Sequence, residues 1–379
     1  MLKIIIDENI AFAREAFDQF GQIILLPGKR ITNQELQNAD VLIVRSVTQV
    51  NEDLLKNTAV KFVGTATIGT DHIDLDYLNK NNIVFADARG CNAYSVAEYV
   101  IAALLFLANK LDLRLSEKTI GIVGVGNIGS KVAAFTNALG MKVLLNDPPL
   151  QRNGVKREFH SLNKILRADI ITFHVPLIKE GVDKTYHILD KEKMGLINKN
   201  AILINTSRGP VVDNKELISV IREKNLKVVL DVWENEPDVN LDLLKEVLIG
   251  SPHIAGYSWE GKVNGTKMIY NALCNYLNAE QKFDLENDFI EGSDLKLLDF
   301  PEPEKSLDDL VSKIYNIKTD DNLMREMINK TKPEKIFYFE SLRKNYHLRR
   351  EFTNYKISIA KEKLYLKNTL EQLRFKIIN

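Results

Sequence analysis

The stretch TIGIVGVGNIGSKVAA (119–134) decides the fold of this 379-residue chain. An apolar run rich in β-branched residues leads into three glycines spaced as GxGxxG, and a helical pattern follows. In such a loop Gly124 permits a tight turn, Gly126 lets a pyrophosphate approach the backbone, and Gly129 lets the helix pack closely on the strand. The stretch therefore predicts a strand, a phosphate-binding loop completed by Asn127 and Ile128, and a helix.

The next strand supplies the context that a GxGxxG pattern alone lacks. The run KVLLND ends in Asp147, about twenty residues beyond the glycines, where a carboxylate accepts hydrogen bonds from a ribose 2′-hydroxyl. The same carboxylate repels a 2′-phosphate, so the sequence favours NAD over NADP. Two other interpretations stay open: a glycine-rich turn that binds nothing, and a turn role for Asp147 before Pro148 and Pro149.

On both sides of the loop, short β-branched runs alternate with helical patterns. The runs are LKIII, QIILL, VLIVRS, KFVGTA and IVFADA, and then KTIGIVGVG, KVLLND, DIITFHV, AILINTS, KVVLDV and EVLIGSPHI. Strands separated by helices in this way form parallel sheets with right-handed crossovers. We expect an α/β protein with two Rossmann-like, doubly wound parallel-sheet domains and a cleft between them. After the Pro-broken stretch FPEPEKS (300–306), the tail predicts a further small α/β domain.

The composition limits the classes of partner. The 51 basic and 51 acidic residues cancel, which argues against a broad electrostatic surface for nucleic acid or membrane. Two cysteines cannot form a disulfide framework or a four-ligand zinc site, and we expect no metal. The start of the chain lacks a signal-peptide pattern, and the apolar run VIAALLFLA (100–108) is too short to span a bilayer. We expect a soluble, cytoplasmic protein.

An arginine, a carboxylate and an imidazole follow the glycine loop, in the segments TSRGPVV (206–212), DVWENEP (231–237) and SPHIAGY (251–257). His253 can accept a hydroxyl proton at physiological pH, and Arg208 can bind a substrate carboxylate through two parallel hydrogen bonds. Glu236 or Glu234 can accept a hydrogen bond from the other imidazole nitrogen of His253. Beside a dinucleotide, these groups suit the oxidation of a hydroxy acid by hydride transfer. The alternatives are structural: a packed histidine and a salt-bridged arginine.

These segments, with the glycine loop and NAYSVAEY (92–99), resemble the D-isomer-specific 2-hydroxyacid dehydrogenase family over most of residues 1–280. The resemblance implies a substrate-binding domain built from 1–93 and 256–284, around an NAD-binding Rossmann domain at 94–255. It assigns catalysis to Arg208, Glu236 and His253, and prefers Glu236 over Glu234. It implies further NAD contacts from Thr206, Ser207, Asp231 and Gly256. Val175 stands where the family often has threonine, so a hydroxyl contact to NAD is missing there.

A closer resemblance links the chain to one branch of the family, whose members act on a phosphorylated four-carbon hydroxy acid. It rests on IDEN (6–9), VRSVTQVN (44–51), KFVGTATIGTDHID (61–74), RGCNAYSVAEYV (89–100), HIAGYSWEGK (253–262) and RKNYHLRRE (343–351). The branch implies substrate contacts from Ser46, Thr67 and Tyr257. It also implies that residues 285–379 form a dimerisation domain, so we expect a homodimer.

A phosphorylated hydroxy acid carries two anionic groups and needs two cationic anchors, of which Arg208 can supply one. Arg45, beside Ser46 at a predicted strand end, is our hypothesis for the phosphate. The run containing Arg343, Lys344, Arg349 and Arg350 is another source, if the tail reaches the cleft of its own or a partner subunit. The simpler interpretation of that run is a solvated helix face.

Three other functions remain open from the sequence. The first is another dehydrogenase of the family, of the 3-phosphoglycerate or glyoxylate type, although the tail has no recognisable regulatory ligand-binding repeat. The second is an NAD-sensing transcriptional corepressor, as some proteins resembling this family are. The third concerns the tail, which could serve as an interaction module without any role in catalysis.

Overall fold

The structure is a computed structural model that describes residues 1–283, 293–298 and 300–378, and each of its two compact units contains one large parallel β-sheet. The sheets lie in different units of the chain. One unit comprises Met1–Asn92 and Ser258–Ile290, and the other comprises Ala93–Tyr257 and Glu291–Asn379. The expected domain boundary at 284/285 lies outside the described residues. The C-terminal segment shares a unit with the glycine loop, whereas the sequence suggested a separate domain.

The first unit contains a five-stranded parallel sheet in the order β2-β1-β3-β4-β5. Its strands are β1 (Leu2–Asp7), β2 (Gly21–Leu26), β3 (Val41–Val44), β4 (Phe62–Thr65) and β5 (Val84–Asp87). Each strand corresponds to one predicted run, and the order is that of a flavodoxin-like doubly wound fold. The middle strands β3 and β4 are buried at every position, as expected for a parallel sheet covered on both faces.

The helices of this unit are α1 (Ala13–Phe17), α2 (Asn33–Leu36), α3 (Glu52–Leu55), α4 (Leu75–Lys80) and α12 (Trp259–Leu277). Helix α12 comes from a distant part of the chain and places Ile269, Tyr270 and Leu273 in the apolar core beside the sheet. Gly64 in β4 permits this approach, since a Cβ there would lie 2.5 Å from Cγ2 of Ile269. The segment after the second sheet thus packs with the first ninety residues.

The second unit contains a six-stranded parallel sheet in the order β11-β10-β9-β8-β6-β7. Its strands are β6 (Thr119–Val123), β7 (Lys142–Asn146), β8 (Ile170–Phe173), β9 (Ile202–Asn205), β10 (Lys227–Leu230) and β11 (Ile249–Gly250). A parallel bridge from Leu145 to Phe159 extends the sheet beyond β7. With that bridge counted as a strand, the order becomes 3-2-1-4-5-6-7, which contains the 3-2-1-4-5-6 arrangement of dinucleotide-binding folds and adds β11 at the edge. The expectation of two Rossmann-like parallel sheets is confirmed.

The helices around the second sheet are α5 (Ala93–Leu111), α6 (Asn127–Ala138), α7 (Pro148–Arg152), α8 (Leu162–Ile165), α9 (Lys191–Met194), α10 (Asn214–Lys224) and α11 (Leu241–Glu246). By length and composition α5 could cross a bilayer, which the shorter run 100–108 did not suggest. However, 72% of its apolar window is buried inside the protein. It packs against the sheet and α6, so α5 is a core helix.

The C-terminal module (residues 293–378) adds a three-stranded parallel sheet and four helices to this unit. Its elements are β12 (Asp294–Lys296), β13 (Lys356–Ser358), β14 (Lys376–Ile378), α13 (Pro303–Ile314), α14 (Ile317–Arg325), α15 (Lys332–Lys344) and α16 (Lys367–Gln372). Pro303, expected in a linker, is the first residue of α13. Leu307, Leu310 and Phe352 share one core with α5. This shared core explains why the module is not a separate unit.

Short 3₁₀ helices connect these elements, at Asp18–Phe20, Gly28–Arg30, Leu115–Glu117, Gly209–Val211, Glu326–Asn329, Phe352–Asn354 and Lys361–Leu366.

Buried charges also join the C-terminal module to α5. Glu98 and Glu351 are 2% and 3% exposed, and Arg374 Nη1 lies 2.8 Å from Glu351 Oε2 and 3.8 Å from Glu98 Oε1. The backbone N–H of Phe352 donates to Glu98 Oε1 at 3.0 Å, and Ser95 donates to Glu351 at 2.9 Å. Burial, and then the nearby Glu351 carboxylate, raise the pKa of Glu98 well above its ordinary value.

Replacing Glu98 with glutamine should reduce the dependence of stability on pH. Because the Glu98 carboxyl ionises more easily in the unfolded chain, stability of the native protein falls as pH rises above the ordinary value of 4.5. The amide oxygen of Glu98→Gln can still accept from Phe352, but the side chain cannot ionise. Urea unfolding at pH 5 and pH 8 should therefore show a smaller difference for Glu98→Gln than for the native protein. The control Glu362→Gln changes an exposed residue and should show the same difference as the native protein. If Glu98→Gln showed that same difference, the raised pKa of Glu98 would be contradicted.

Candidate active site

The glycine loop leaves open space beside the start of α6. Gly124 has a φ of 85°, and a Cβ there would lie 2.5 Å from a backbone oxygen of the segment after β8. A Cβ at Gly129 would lie 1.9 Å from the carbonyl oxygen of Gly124, whereas at Gly126 it would meet nothing within 4 Å. No side chain caps α6, whose first residues are Asn127 and Ile128. The open, uncapped helix start fits a pyrophosphate.

Asp147 follows β7 and contacts this loop. Its Oδ2 accepts from the backbone N–H of Val125 at 2.8 Å, and its Oδ1 accepts from Leu150 at 3.0 Å, which caps α7. The turn role that the sequence left open is therefore present. The ribose contact of Asp147 stays a prediction, and both roles are compatible because a carboxylate can accept more than two hydrogen bonds.

The other expected NAD and catalytic residues follow the carboxyl ends of successive strands of the second sheet. Val175 comes after β8, Thr206, Ser207 and Arg208 after β9, and Asp231 after β10, while His253, Gly256 and Tyr257 follow β11. Because all these strands run parallel, their carboxyl ends meet at one edge, where open α/β sheets bind ligands. The structure thus brings these residues to the same edge as the glycine loop.

His253 and Glu236 form a hydrogen-bonded pair. Nδ1 of His253 lies 2.5 Å from Oε1 of Glu236, and the two side chains are 29% and 24% exposed. Oε2 of Glu236 accepts from the backbone N–H of Trp233 at 3.2 Å. Glu234, the other candidate, bonds His187 Nε2 at 2.6 Å instead. The structure therefore pairs Glu236 with His253 and leaves Nε2 of His253 for a substrate.

Several neighbours favour the ionised form of Glu236. Burial by itself would raise the pKa of this carboxyl, but His253, the Arg343 guanidinium and the Trp233 N–H outweigh it and lower the pKa below its ordinary value. An ionised carboxylate fixes the proton of a neutral imidazole on Nδ1 and stabilises the imidazolium that forms when Nε2 accepts a proton. The pair is thus arranged for proton acceptance at Nε2.

A second histidine at the same sheet edge is arranged differently. His174 follows β8 and is 9% exposed; its Nε2 lies 2.9 Å from Thr172 Oγ1 and its Nδ1 lies 3.3 Å from Thr206 Oγ1. Burial lowers the pKa of His174 to about 3. Since both ring nitrogens contact hydroxyl groups and the ring stays neutral, His174 is suited to positioning Thr206 rather than to proton transfer.

Arg208 lies in a turn that Asn205 organises. The fully buried Asn205 side chain accepts from the N–H and hydroxyl of Ser207 at 3.1 and 2.8 Å, and donates to the carbonyl of Arg208 at 2.9 Å. Gly209 lets this turn touch the segment that carries Glu236, since a Cβ there would lie 2.0 Å from the backbone carbon of Trp233. Asn205 was not among the expected site residues, although its position as a polar residue at the end of the run AILINTS was the available signal.

Asp231 holds the loop that carries His253. Its Oδ1 accepts from Ser251 Oγ at 2.6 Å and from Ile254 N at 2.8 Å, and its Oδ2 accepts from Ala255 N at 2.9 Å. The carbonyl oxygen of Asp231 also accepts from the N–H of His253 at 2.7 Å. The residue is 1% exposed. Its expected contact with NAD stays a prediction, while its role in shaping this loop is visible.

The expected substrate residues of the first unit lie at the carboxyl edge of the first sheet. Ser46 follows β3 and is exposed, and Arg45 beside it is half-buried. Thr67 follows β4, and its hydroxyl lies 2.8 Å from that of Thr65. The first unit thus presents hydroxyls and one cation at this edge.

The basic run of the tail is not a solvated helix face. Helix α15 ends at Lys344, and of the four basic residues in the run only Lys344 is exposed. Arg349 is buried and donates to the carbonyls of Ser95 and Ala255 at 2.8 and 2.6 Å. Arg350 is buried beside Asn354. The interpretation of the run as a solvated helix face was wrong, because Arg349 and Arg350 are buried. Arg349 supplies the hydrogen-bond donor that the buried carbonyl of Ser95 in α5 needs.

Comparisons with known proteins agree with this geometry. The family described as D-isomer specific 2-hydroxyacid dehydrogenase, NAD binding domain, matches residues 106–255, and a domain of unknown function, DUF3410, matches residues 293–373. Erythronate-4-phosphate dehydrogenase of Photorhabdus laumondii is 44% identical over 357 residues, covering 93% of this chain and 94% of the relative. The Cronobacter sakazakii enzyme of the same name is 44% identical over 356 residues, covering 93% of each chain.

This chain belongs to the D-isomer specific 2-hydroxyacid dehydrogenase family. Within the family it groups with the erythronate-4-phosphate dehydrogenases, and it is an NAD-dependent oxidoreductase. The expected cofactor and enzyme class are therefore confirmed.

Solved structures of other dehydrogenases share the fold. D-lactate dehydrogenase of Aquifex aeolicus, complexed with NAD and lactic acid, gives a TM-score of 0.58 at 26% identity and covers 73% of this chain and 95% of its own. The NAD⁺-bound 3-phosphoglycerate dehydrogenase of Entamoeba histolytica gives a TM-score of 0.64 at 25% identity, with 76% and 99% covered. This dehydrogenase therefore has about a quarter of its length unmatched in each of them.

Proposed function

We propose that this dehydrogenase oxidises 4-phospho-D-erythronate to (R)-3-hydroxy-2-oxo-4-phosphooxybutanoate, with NAD as acceptor, in the biosynthesis of pyridoxal 5′-phosphate. The observation that carries the chemistry is the Glu236–His253 pair at the same sheet edge as the glycine loop. The proposed substrate is supported by relatives that are named erythronate-4-phosphate dehydrogenases. They are 44% identical to this chain over 93% of its length.

In the proposed mechanism each residue has one task. Arg208 binds the substrate carboxylate and orients C2, and Nε2 of His253 accepts the proton of the C2 hydroxyl. Glu236 stabilises the imidazolium that results. NAD, when bound, supplies the acceptor for the C2 hydrogen as hydride, so the hydroxyl becomes a carbonyl with no other reactant. Gly124, Gly126 and Gly129, with Asn127 and Ile128, hold the pyrophosphate, Asp147 holds the ribose, and Val175, Thr206, Ser207, Asp231 and Gly256 line the remaining NAD site.

The substrate contacts outside this set extend the same proposal. Ser46 and Thr67 of the first unit bind the substrate through their hydroxyl groups, as does Tyr257 after β11. Arg45 adds a cation for the phosphate; its guanidinium forms no hydrogen bond or ion pair with another residue that the structure describes.

A comparison of two phosphorylated acids tests the proposed substrate. The purified protein is mixed with NAD and either 4-phospho-D-erythronate or 3-phospho-D-glycerate, and NADH absorbance is followed. Preference for the four-carbon acid supports the proposal. Preference for the three-carbon acid would keep the chemistry but reject the substrate, and turnover of neither, with a keto acid supplied to reoxidise any retained NADH, would favour a corepressor-like role.

We further propose a cytoplasmic homodimer formed through the C-terminal module. This module exposes large apolar side chains: Phe337 is 74% exposed, Leu348 61%, Tyr365 58% and Leu364 53%. Exposed apolar groups of this size on one module are typical of a protein interface.

Sedimentation of the native protein and of Phe337→Ser should test the dimer. We expect the native protein to sediment with the mass of two chains at micromolar concentration, and Phe337→Ser to shift toward one chain because it loses apolar area at the interface. The control Val182→Ser changes a side chain that is 89% exposed in the second unit but outside the module, and should have no effect. A native protein with the mass of one chain would contradict the proposal.

A further inference from the structure

The last turn of helix α15 brings a cation to the active site of its own chain. Arg343 is the penultimate residue of α15, and its Cζ lies 5.8 Å from the centroid of the Tyr257 ring. Its guanidinium also hydrogen-bonds the Tyr257 side chain and is close enough to Glu236 to lower the pKa of that carboxyl. Tyr257 is four residues beyond His253, so Arg343 lies beside the proposed catalytic pair.

Helix α15 is fixed to the loop that carries Glu236. Nζ of Lys335 lies 2.7 Å from Asp238 Oδ1 and donates to the carbonyl of Val239 at 3.0 Å. One turn later, Phe339 is 1% exposed and shares a core with Val239. These contacts hold two turns of α15 against the loop that carries Glu236. Arg343, one turn after Phe339, is therefore held in place relative to Glu236.

One N–H of the Arg343 guanidinium has no hydrogen-bond partner among the described residues. Its Nε is buried and donates to no group that the structure describes. Both oxygens of Glu236 already accept hydrogen bonds, one from His253 and one from the Trp233 N–H. A guanidinium with an unpaired buried N–H is costly, and an anion placed against it would restore the missing hydrogen bond.

We propose that Arg343 binds the phosphate of the substrate, so that the C-terminal module completes the substrate site of its own chain. This inference rests on the proposed function. A phosphate monoester carries about −1.5 to −2 charge at neutral pH, so it can take Arg343 in addition to the proposed Arg45, and a guanidinium offers the planar pair of donors that suits phosphate. Arg208 binds the carboxylate end. Within the basic run, Arg343 is the residue that contacts Tyr257 and lies near Glu236, whereas Arg349 donates to Ser95 and Ala255, Arg350 bonds Asn354, and Lys344 is exposed.

The test compares Arg343→Gln with the native protein on 4-phospho-D-erythronate and on D-erythronate, which lacks the phosphate. We expect kcat/KM to fall about 10²-fold or more for the phosphorylated acid, mainly through KM, and to change little for D-erythronate. Inhibition by inorganic phosphate should weaken at least about tenfold, because the same contact is lost. Lys344→Gln removes an exposed charge from the same helical turn and should match the native protein. Arg343→Lys keeps the charge without the fork and should give an intermediate loss.

Two results would overturn the inference. Equal losses of kcat/KM with both acids would mean that Arg343 acts through Glu236 or through the fold, and unchanged inhibition by phosphate would mean that it binds no phosphate. Failure of the proposed function can be distinguished from failure of this inference. If the native protein oxidises neither acid, calorimetric binding of inorganic phosphate to the NAD-loaded protein still measures whether Arg343→Gln removes the anion site.

Discussion

Replacement of His253 by alanine is expected to lower kcat by roughly 10²–10⁴-fold and to leave the affinity for NAD unchanged. The Nδ1 of His253 is held by Glu236 at 2.5 Å, so Nε2 is the position that accepts the hydroxyl proton. Alanine removes this acceptor but touches neither the glycine loop nor Asp147. Steady-state rates with 4-phospho-D-erythronate, together with NAD titration by fluorescence, measure both quantities.

The control for His253 is another partly buried histidine. His160 contacts Lys164 and Glu158 far along the chain from the catalytic loops, so His160→Ala should keep kcat within about twofold, as is usual for substitutions outside the site. Addition of imidazole should restore part of the activity of His253→Ala, because the missing group is a base. If His253→Ala instead lost NAD affinity and kept kcat, His253 would be structural.

Replacement of Asp231 by alanine should have the second large effect, on stability and on rate together. It removes the acceptor for Ser251 Oγ and for the N–H groups of Ile254 and Ala255, all of them buried. Buried donors left without partners cost about 1–3 kcal/mol each, so we expect a loss of about 3–5 kcal/mol after partial relaxation. Because His253 lies in this loop, kcat should also fall about 10²-fold through misplacement.

Urea unfolding and steady-state kinetics of Asp231→Ala and Asp231→Asn separate the two roles discussed for this residue. The asparagine keeps one acceptor oxygen but turns the other position into a donor, so it should destabilise the protein less than alanine. If Asp231 served only as an NAD contact, the alanine variant would raise KM for NAD at unchanged stability. That outcome would contradict the role of Asp231 in holding the His253 loop.

The sequence was sufficient for the two large sheets, but β12 and β14 of the small C-terminal sheet were not predicted. Eleven runs with β-branched residues became eleven strands, because a parallel strand buried on both faces needs continuous apolar side chains. Short segments around Arg208, Glu236 and His253 could be placed at one sheet edge, since residues after parallel strands meet there. The strand-like bridge at Phe159 was not predictable, because one bridged residue leaves no periodic pattern.

What the sequence could not show depends on contacts between distant parts of the chain. The sequence around Arg349 and Arg350 is typical of a charged helix face, yet both residues are buried. Arg349 donates to the carbonyls of Ser95 and Ala255, which lie 254 and 94 residues away, so no local pattern could indicate these contacts. The same holds for Arg343, whose place beside Tyr257 depends on the anchoring of α15. The NAD contact expected for Asp231 stays a prediction, whereas its hydrogen bonds to the His253 loop could not be predicted because they leave no local signal in the sequence.

The module is also more than the separate appendix that its composition suggested. Leu307, Leu310 and Phe352 belong to the core that surrounds α5, and the module's Arg349 bonds the carbonyl of Ala255 two residues after His253. Deleting the module would expose this core, so loss of activity after deletion would be ambiguous. Single substitutions such as Arg343→Gln are therefore the sharper test of its role in catalysis.

The most direct test of the central claim is to follow the hydrogen at C2 of the substrate. With 4-phospho-D-erythronate carrying deuterium at C2, the proposed mechanism predicts that deuterium appears on the reduced NAD and that mass spectrometry detects the 2-oxo acid in equal amount. Deuterium released to water, or oxidation at another carbon, would contradict hydride transfer from C2 and with it the proposed roles of Arg208, Glu236 and His253.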